Sequence, residues 1–127
     1  MIVRITTAQV CRIYDNQVHC GVLRDAGALA GAVNTPFQEV FGLVPYPSVV
    51  QKAGKLLDGI QRVQAFTDGN KRVAWLSTTS FLQINGQVID PLLSPEEIDD
   101  FVRSLARMEQ PEVVAAAWLN ERTHGTV

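Results

Sequence analysis

An all-α fold, a compact helical bundle folded as one domain over residues 1–127, is what this sequence predicts, and three observations lead there. Apolar residues recur at helical spacing through most of the chain. Capping residues and prolines stand at the starts of those stretches. One stretch, from Val73 to Ile84, is apolar on nearly every side, which predicts a helix at the centre of the bundle. Hydrophobic residues make up 46% of the 127 and charged residues 19%, proportions of a globular domain large enough to bury a core.

The elements follow in order. A first helix starts at Thr6 or Thr7, either of which can cap it, and carries Val10, Ile13 and Tyr14 on one face. A second runs from Asp25 to Val33 and ends near Asn34-Thr35-Pro36, because proline disfavours helix in the residue before it. Phe37 to Phe41 reads as one short turn. Gly42-Leu43-Val44-Pro45-Tyr46-Pro47 breaks the pattern and predicts a loop or a short extended flap. A third helix begins near Ser48 or Tyr46-Pro47 and ends near Gln64. Val49, Ala53, Leu56, Leu57, Ile60 and Val63 form its apolar stripe. After the polar turn Thr67-Asp68-Gly69-Asn70 comes the fourth and central helix, with Val73, Ala74, Trp75, Leu76, Phe81, Leu82 and Ile84. It stops at Asn85-Gly86, a good left-handed exit. Val88-Ile89-Asp90-Pro91 reads as a connector. Ser94-Pro95-Glu96-Glu97 combines a cap, a proline at the first position and acids in the first turn, and starts a fifth helix reaching about Ala106. A sixth runs from Pro111 to about Asn120 with Val113, Val114, Ala117 and Leu119. Glu121 to Val127 reads as a frayed tail.

Bulk properties exclude several classes. The net charge of −2 does not suit bulk nucleic-acid binding, which needs a basic surface. Met1 to Thr7 has no long apolar core and no cleavage-type site. No stretch approaches the about 20 apolar residues of a membrane helix. Cys11 and Cys20 lack metal-ligand spacing and read as two buried thiols in a reducing compartment. The expected location is the cytoplasm.

One segment carries chemistry: Gln64-Ala65-Phe66-Thr67-Asp68-Gly69-Asn70-Lys71-Arg72. Asp68, Gly69 and Asn70 stand at a helix N-terminus, where free N–H groups and the helix dipole favour an anion. Gly69 lets the backbone turn tightly beside a ligand. Lys71 and Arg72 place two cations in a first turn that the dipole disfavours unless an anion binds there. Asp68 can cap the helix or hold Mg²⁺ against a phosphate. Phe66 anchors the loop in the core. Composition alone is better served by an ordinary Asp-Gly-Asn turn with an acidic cap and solvated charges.

The segment resembles the Fic/Doc signature His-x-Phe-x-(Asp/Glu)-(Gly/Ala)-Asn-(Gly/Lys)-Arg. Phe66, Asp68, Gly69, Asn70 and Arg72 match it in spacing, and Lys71 matches the Doc variant. Trp75 stands where general Fic proteins have a second arginine. Arg24-Asp25-Ala26-Gly27-Ala28-Leu29 resembles the family's Arg-Asp-x-Gly-x-Leu segment. Phe41-Gly42 leading to Tyr46-Pro47-Ser48 resembles its flap, and Phe81-Leu82-Gln83-Ile84-Asn85-Gly86 its usual helix ending. The likeness covers most of the chain and implies a Fic/Doc helical bundle with a central buried helix and a short flap.

The resemblance also implies function. Asp68 would hold Mg²⁺, while Gly69, Asn70, Lys71 and Arg72 would cradle the phosphates of ATP. Fic proteins usually transfer AMP to a target hydroxyl. Doc-type proteins transfer the γ-phosphate to elongation factor Tu, arresting translation, and are controlled by a Phd-like antitoxin whose C-terminal segment folds against the toxin. The inhibitory Ser/Thr-x-x-x-Glu-Gly/Asn motif of other members has only a poor match at Thr35 to Glu39. The family's general base, a histidine, is here Gln64, which takes up no proton near neutrality. A natural degenerate member, a toxin silenced for expression, and an enzyme using Gln64 only to position its substrate all fit that replacement. A catalytically dead docking module of phage or plasmid origin and an AMP-transferring enzyme stand as alternatives to the Doc-like kinase.

Overall fold

The computed structural model describes residues 1–125. Thr6 caps the first helix, α1 (Thr7–Ile13), by a reciprocal box: its hydroxyl accepts from the Gln9 amide at 3.2 Å, and the Gln9 side chain accepts from the Thr6 amide at 2.8 Å. The helix continues as a π-helical turn, Tyr14–Val18, which ends at the left-handed His19 (φ 32°). Asp25 caps α2 (Ala26–Asn34) by accepting from the Ala28 amide at 3.0 Å. The turn expected from Phe37 to Phe41 sits earlier, as a 3₁₀ turn over Thr35–Phe37, because Pro36 suits the first turn of a helix and Gln38 is already extended. Beyond it Val40 and Leu43 pair back to back around Phe41 and Gly42. This is a two-residue hairpin, the tip of the expected flap.

Ser48 and Gln51 form a second capping box at the start of α3 (Val49–Val63). Most of the expected stripe is buried: Ala53, Leu56, Leu57 and Ile60 are at most 1% exposed, while Val63, beside the chain reversal, is exposed. Each such large side chain contributes about 1.5–3 kcal/mol. The helix packs against α2, α4 (Asn70–Ile84) and α6 (Pro111–Arg122). Its contact with α6 depends on Gly54, where a Cβ would lie 2.6 Å from the Glu112 carbonyl and the Ala116 amide. The burial of α4 departs from the all-round expectation. Asn70, Val73, Ala74, Ser77, Thr78, Phe81 and Leu82 are buried, a stripe of helical period, whereas Trp75 and Leu76 are half-buried and Ile84 is exposed. Small hydroxyl residues complete the buried face that the apolar ones alone do not outline.

After the left-handed Gly86 (φ 78°) the expected connector is instead a strand, β1 (Gln87–Ile89). It pairs antiparallel with β2 (Thr123–Gly125), Val88 opposite His124. The tail is thus ordered through Gly125, with α6 reaching Arg122, and only Thr126 and Val127 of that expectation lie outside the described residues. Ser94 caps α5 (Pro95–Ser104), which a 3₁₀ turn extends to Arg107. On α6 the residues that reach the core are Ala115 and Leu119; Val113 and Ala117 face outward. Cys11 is half-buried and Cys20 exposed, against the expectation of two buried thiols, because Cys20 follows the left-handed break at His19. No helix among the described residues is long and apolar enough to cross a membrane.

Candidate active site

The site begins where α3 ends. Gln64 adopts the left-handed conformation (φ 52°), which costs an L-residue about 1–2 kcal/mol and turns the chain back toward the core. Ala65 and Phe66 are then buried. Phe66 is the anchor expected of it: its ring stacks on Tyr14 with centroids 3.9 Å apart.

The loop is tied down from two sides. From the segment before α2, the Arg24 guanidinium donates to the Gln64 carbonyl at 2.6 Å, and the Arg24 and Asp25 amides donate to the Ala65 carbonyl at 2.7 and 3.0 Å. Val22 and Thr67 exchange two bonds, and Leu23 pairs with Phe66 across an isolated bridge. From α1's extension, the Tyr14 hydroxyl donates to the Asp68 carbonyl at 2.9 Å. Burial raises the Tyr14 pKa above the ordinary tyrosine value, so the hydroxyl keeps its proton and stays a donor. Sequence reasoning passed over Tyr14 and Thr67 as site residues. Their only signal is a contact across more than forty residues of chain.

Asn70 is buried, and its amide faces backward. It donates to the Phe66 carbonyl at 2.8 Å and accepts from the Phe66 amide at 3.0 Å, which closes the loop on itself. Gly69 is the residue that begins α4, at φ 78°, and Asp68 does not cap the helix beyond it. Among the described residues the Asp68 carboxylate accepts only from the Gly69 amide, at 2.7 Å. A Cβ on Gly69 would meet Val18 Cγ1 at 2.5 Å and Cys20 Sγ at 2.8 Å, so close packing and backbone conformation both require glycine. Among the described residues no side chain caps the N-terminus of α4. Helix geometry leaves the amides of Asn70, Lys71 and Arg72 without intrahelical partners, and they point to the same side as the dipole's positive end.

Lys71 is half-buried and pairs with Asp99 of α5 at 3.4 Å. Arg72 is exposed and makes no ion pair among the described residues. The Gln64 side chain donates to the Gln61 carbonyl at 3.0 Å, and its Oε1 lies 3.5 Å from Asn70 Nδ2, at the limit of a hydrogen bond. His19 and His124 are exposed, and no hydrogen bond joins either to Gln64 or Asp68 among the described residues.

No cluster of three His, Cys, Asp or Glu that could hold a metal ion occurs among the described residues. A single carboxylate suits Mg²⁺, which is commonly held by one or two carboxylates together with substrate phosphates. Asp68 has one oxygen beyond its bond to Gly69, beside the uncapped helix end. A groove of about 520 Å³ opens next to Lys71 and Arg72, between α4 and α5.

Residues 2–82 match the family described as the Fic/DOC family, and this stretch holds the flap, the loop and all of α4 except its last two residues. Toxin Doc of Mycolicibacterium smegmatis (strain ATCC 700084 / mc(2)155) is 37% identical over 84 residues, which are 66% of this chain and 65% of that protein. The chain therefore matches just under two thirds of that relative's length. With the loop, its glycine and its helix N-terminus assembled as described, and with the match spanning more than half of its length, the chain belongs to the Fic/DOC family.

Proposed function

We propose that this protein is a Doc-like, toxin-type member of its family that binds ATP with Mg²⁺ at the Gln64–Arg72 segment. The observation that carries the reading is the uncapped N-terminus of α4, behind a loop held by Tyr14, Arg24 and Asn70. On this reading the amides of Lys71 and Arg72 and the exposed Arg72 guanidinium receive phosphate oxygens. Asp68 holds the cation, which neutralises phosphate charge when bound. Asn70 shapes the loop and reaches no phosphate itself, because its amide is engaged by Phe66. Lys71 is shared between the phosphates and Asp99. Gln64 orients the target hydroxyl and takes no proton from it.

Phosphate transfer to elongation factor Tu under control of an antitoxin is part of the same proposal. It is tested with γ- and α-labelled ATP on elongation factor Tu and on whole lysate, for this protein and its Gln64→His variant in parallel. Restoring the base is expected to raise γ-label transfer about 10²–10⁴-fold. Histidine is also more readily left-handed than most residues, so the variant should fold. Label from the α-position would point instead to AMP transfer. Absence of any transfer and of any ATP–Mg²⁺ binding by both forms would end the nucleotide reading.

A second reading is favoured by the flap. Phe41 is fully exposed, and Val40, Leu43 and Val44 beside it are exposed as well. Such a patch suits docking to a host protein without chemistry. On that reading Asp68→Ala and Arg72→Ala leave the effect on cells unchanged. Loss of the effect with either substitution refutes it.

A further inference from the structure

The groove beside the loop has a second wall that the family match does not include. Residues 2–82 match the family, but Pro95, Ile98, Asp99 and Val102 lie beyond it on α5. They are spaced i, i+3, i+4 and i+7, so a single face of that helix lines the groove. Across from them α4 presents Lys71, Arg72 and Trp75, which are neighbours at i, i+1 and i+4. The groove therefore has two unlike ends. One is the cationic helix start, with Arg72 in no ion pair among the described residues and Asp99 neutralised by Lys71 at 3.4 Å and Arg103 at 2.8 Å. The other is apolar and aromatic, built on Trp75, Pro95, Ile98 and Val102. The Trp75 ring is held from behind by Trp118, edge to face at 6.1 Å, and Trp118 is in turn stacked on Phe101 at 4.1 Å. Its position is thus set before any ligand arrives.

A ligand matching these ends has a polyanionic head and a flat apolar body. The volume, about 520 Å³, lies in the range of small-molecule sites, roughly 300–1,000 Å³. We infer that the groove between α4 and α5 seats the base of the nucleotide whose phosphates lie at the loop, with Trp75 as its stacking platform and Ile98 and Pro95 as the opposite wall. This rests on the phosphate reading above and adds to it a determinant of base binding. An acidic peptide is the other occupant that unlike ends of this kind can take.

The test compares ATP with inorganic tripolyphosphate, both with Mg²⁺, by titration calorimetry on the whole chain. Trp75→Ala is expected to weaken ATP at least tenfold and leave tripolyphosphate unchanged. Ile98→Trp, which narrows the groove from α5 without touching α4, should do the same. Retained tripolyphosphate binding shows that each variant is folded at the loop. In a Trp118→Phe background, where Trp75 is the sole tryptophan, ATP should quench its fluorescence and tripolyphosphate should not. If tripolyphosphate binds and ATP gains nothing from Trp75 or Ile98, the phosphate reading stands and the base assignment is overturned. If neither binds, both fall. If ATP binding is indifferent to both substitutions while an acidic, apolar peptide is displaced by them, the groove belongs to a protein partner and the inference is overturned.

Discussion

The loop at Gln64–Gly69 and the flap at Val40–Pro47 are both irregular, and both pass through left-handed residues that carry side chains. They are held in very different ways. The loop is bonded by Tyr14, Val22, Arg24 and Asn70, and its anchor Phe66 is buried. The flap tip is held by one pair of backbone bonds between Val40 and Leu43, at 2.8 and 2.9 Å, with Phe41 wholly in solvent. Strain in the loop is stabilised by its surroundings, whereas strain at the flap tip has little to offset it. The difference would suit the two proposed tasks: phosphates need fixed donors, while a protein surface is met by a segment free to adjust.

The comparison breaks or sharpens under substitution. Asn70→Ala should have the largest effect. It strips the buried Phe66 amide and carbonyl of their partners at once, a loss of about 2–6 kcal/mol given about 1–3 kcal/mol per unsatisfied buried group. Urea unfolding measures it, and a loss below about 1 kcal/mol would mean the loop is not held as described. Tyr14→Phe keeps the stacking on Phe66 and deletes only the bond to the Asp68 carbonyl, so about 1 kcal/mol is expected. Amide exchange should quicken at Asp68 and Gly69 before it quickens elsewhere. Phe41→Asn should go the other way. Positive φ at both Phe41 (52°) and Gly42 (79°) is what a two-residue hairpin needs, and asparagine accepts it more readily than phenylalanine. The expected change is neutral to about 1 kcal/mol stabilising. Destabilisation of that size would show that Phe41 is packed in solution and that the flap is as fixed as the loop.

Legibility differed along the same lines. Caps announced α1, α3 and α5 because Thr6, Ser48 and Ser94 act on residues three places away, a distance any reading of sequence covers. The loop itself was legible as a segment because its residues are contiguous. Its supports were not: Tyr14 and Arg24 reach it across 54 and 40 residues, and nothing local marks either. The small sheet escaped notice because two strands of three residues carry no alternation to read, and their pairing joins Gln87 to Gly125. Asn70 was read on its position alone, which does not announce that its buried amide bonds the Phe66 backbone. The groove was illegible for a further reason. Trp75 and Ile98 belong to separate helices, and only the packing of α5 on α4 makes them opposite walls.

Asp99 joins the two helices at that groove, and its effect should be the smallest and the most specific. It accepts from Arg103 at 2.8 Å and faces Lys71 at 3.4 Å, and these contacts, Arg103 first, hold its carboxyl below the ordinary aspartate pKa. A carboxyl whose folded value is the lower one adds stability above its unfolded value and loses it as pH falls through the folded value. Asp99→Asn should therefore lower the urea midpoint slightly at neutral pH, and the gap should close in acid. Added salt should shrink the gap too, since the pair is exposed. A gap that persists unchanged below the aspartate range would assign the effect to packing of the side chain. Lys71 would then be no strut between α4 and α5, and its charge would be wholly available to an anion at the helix start.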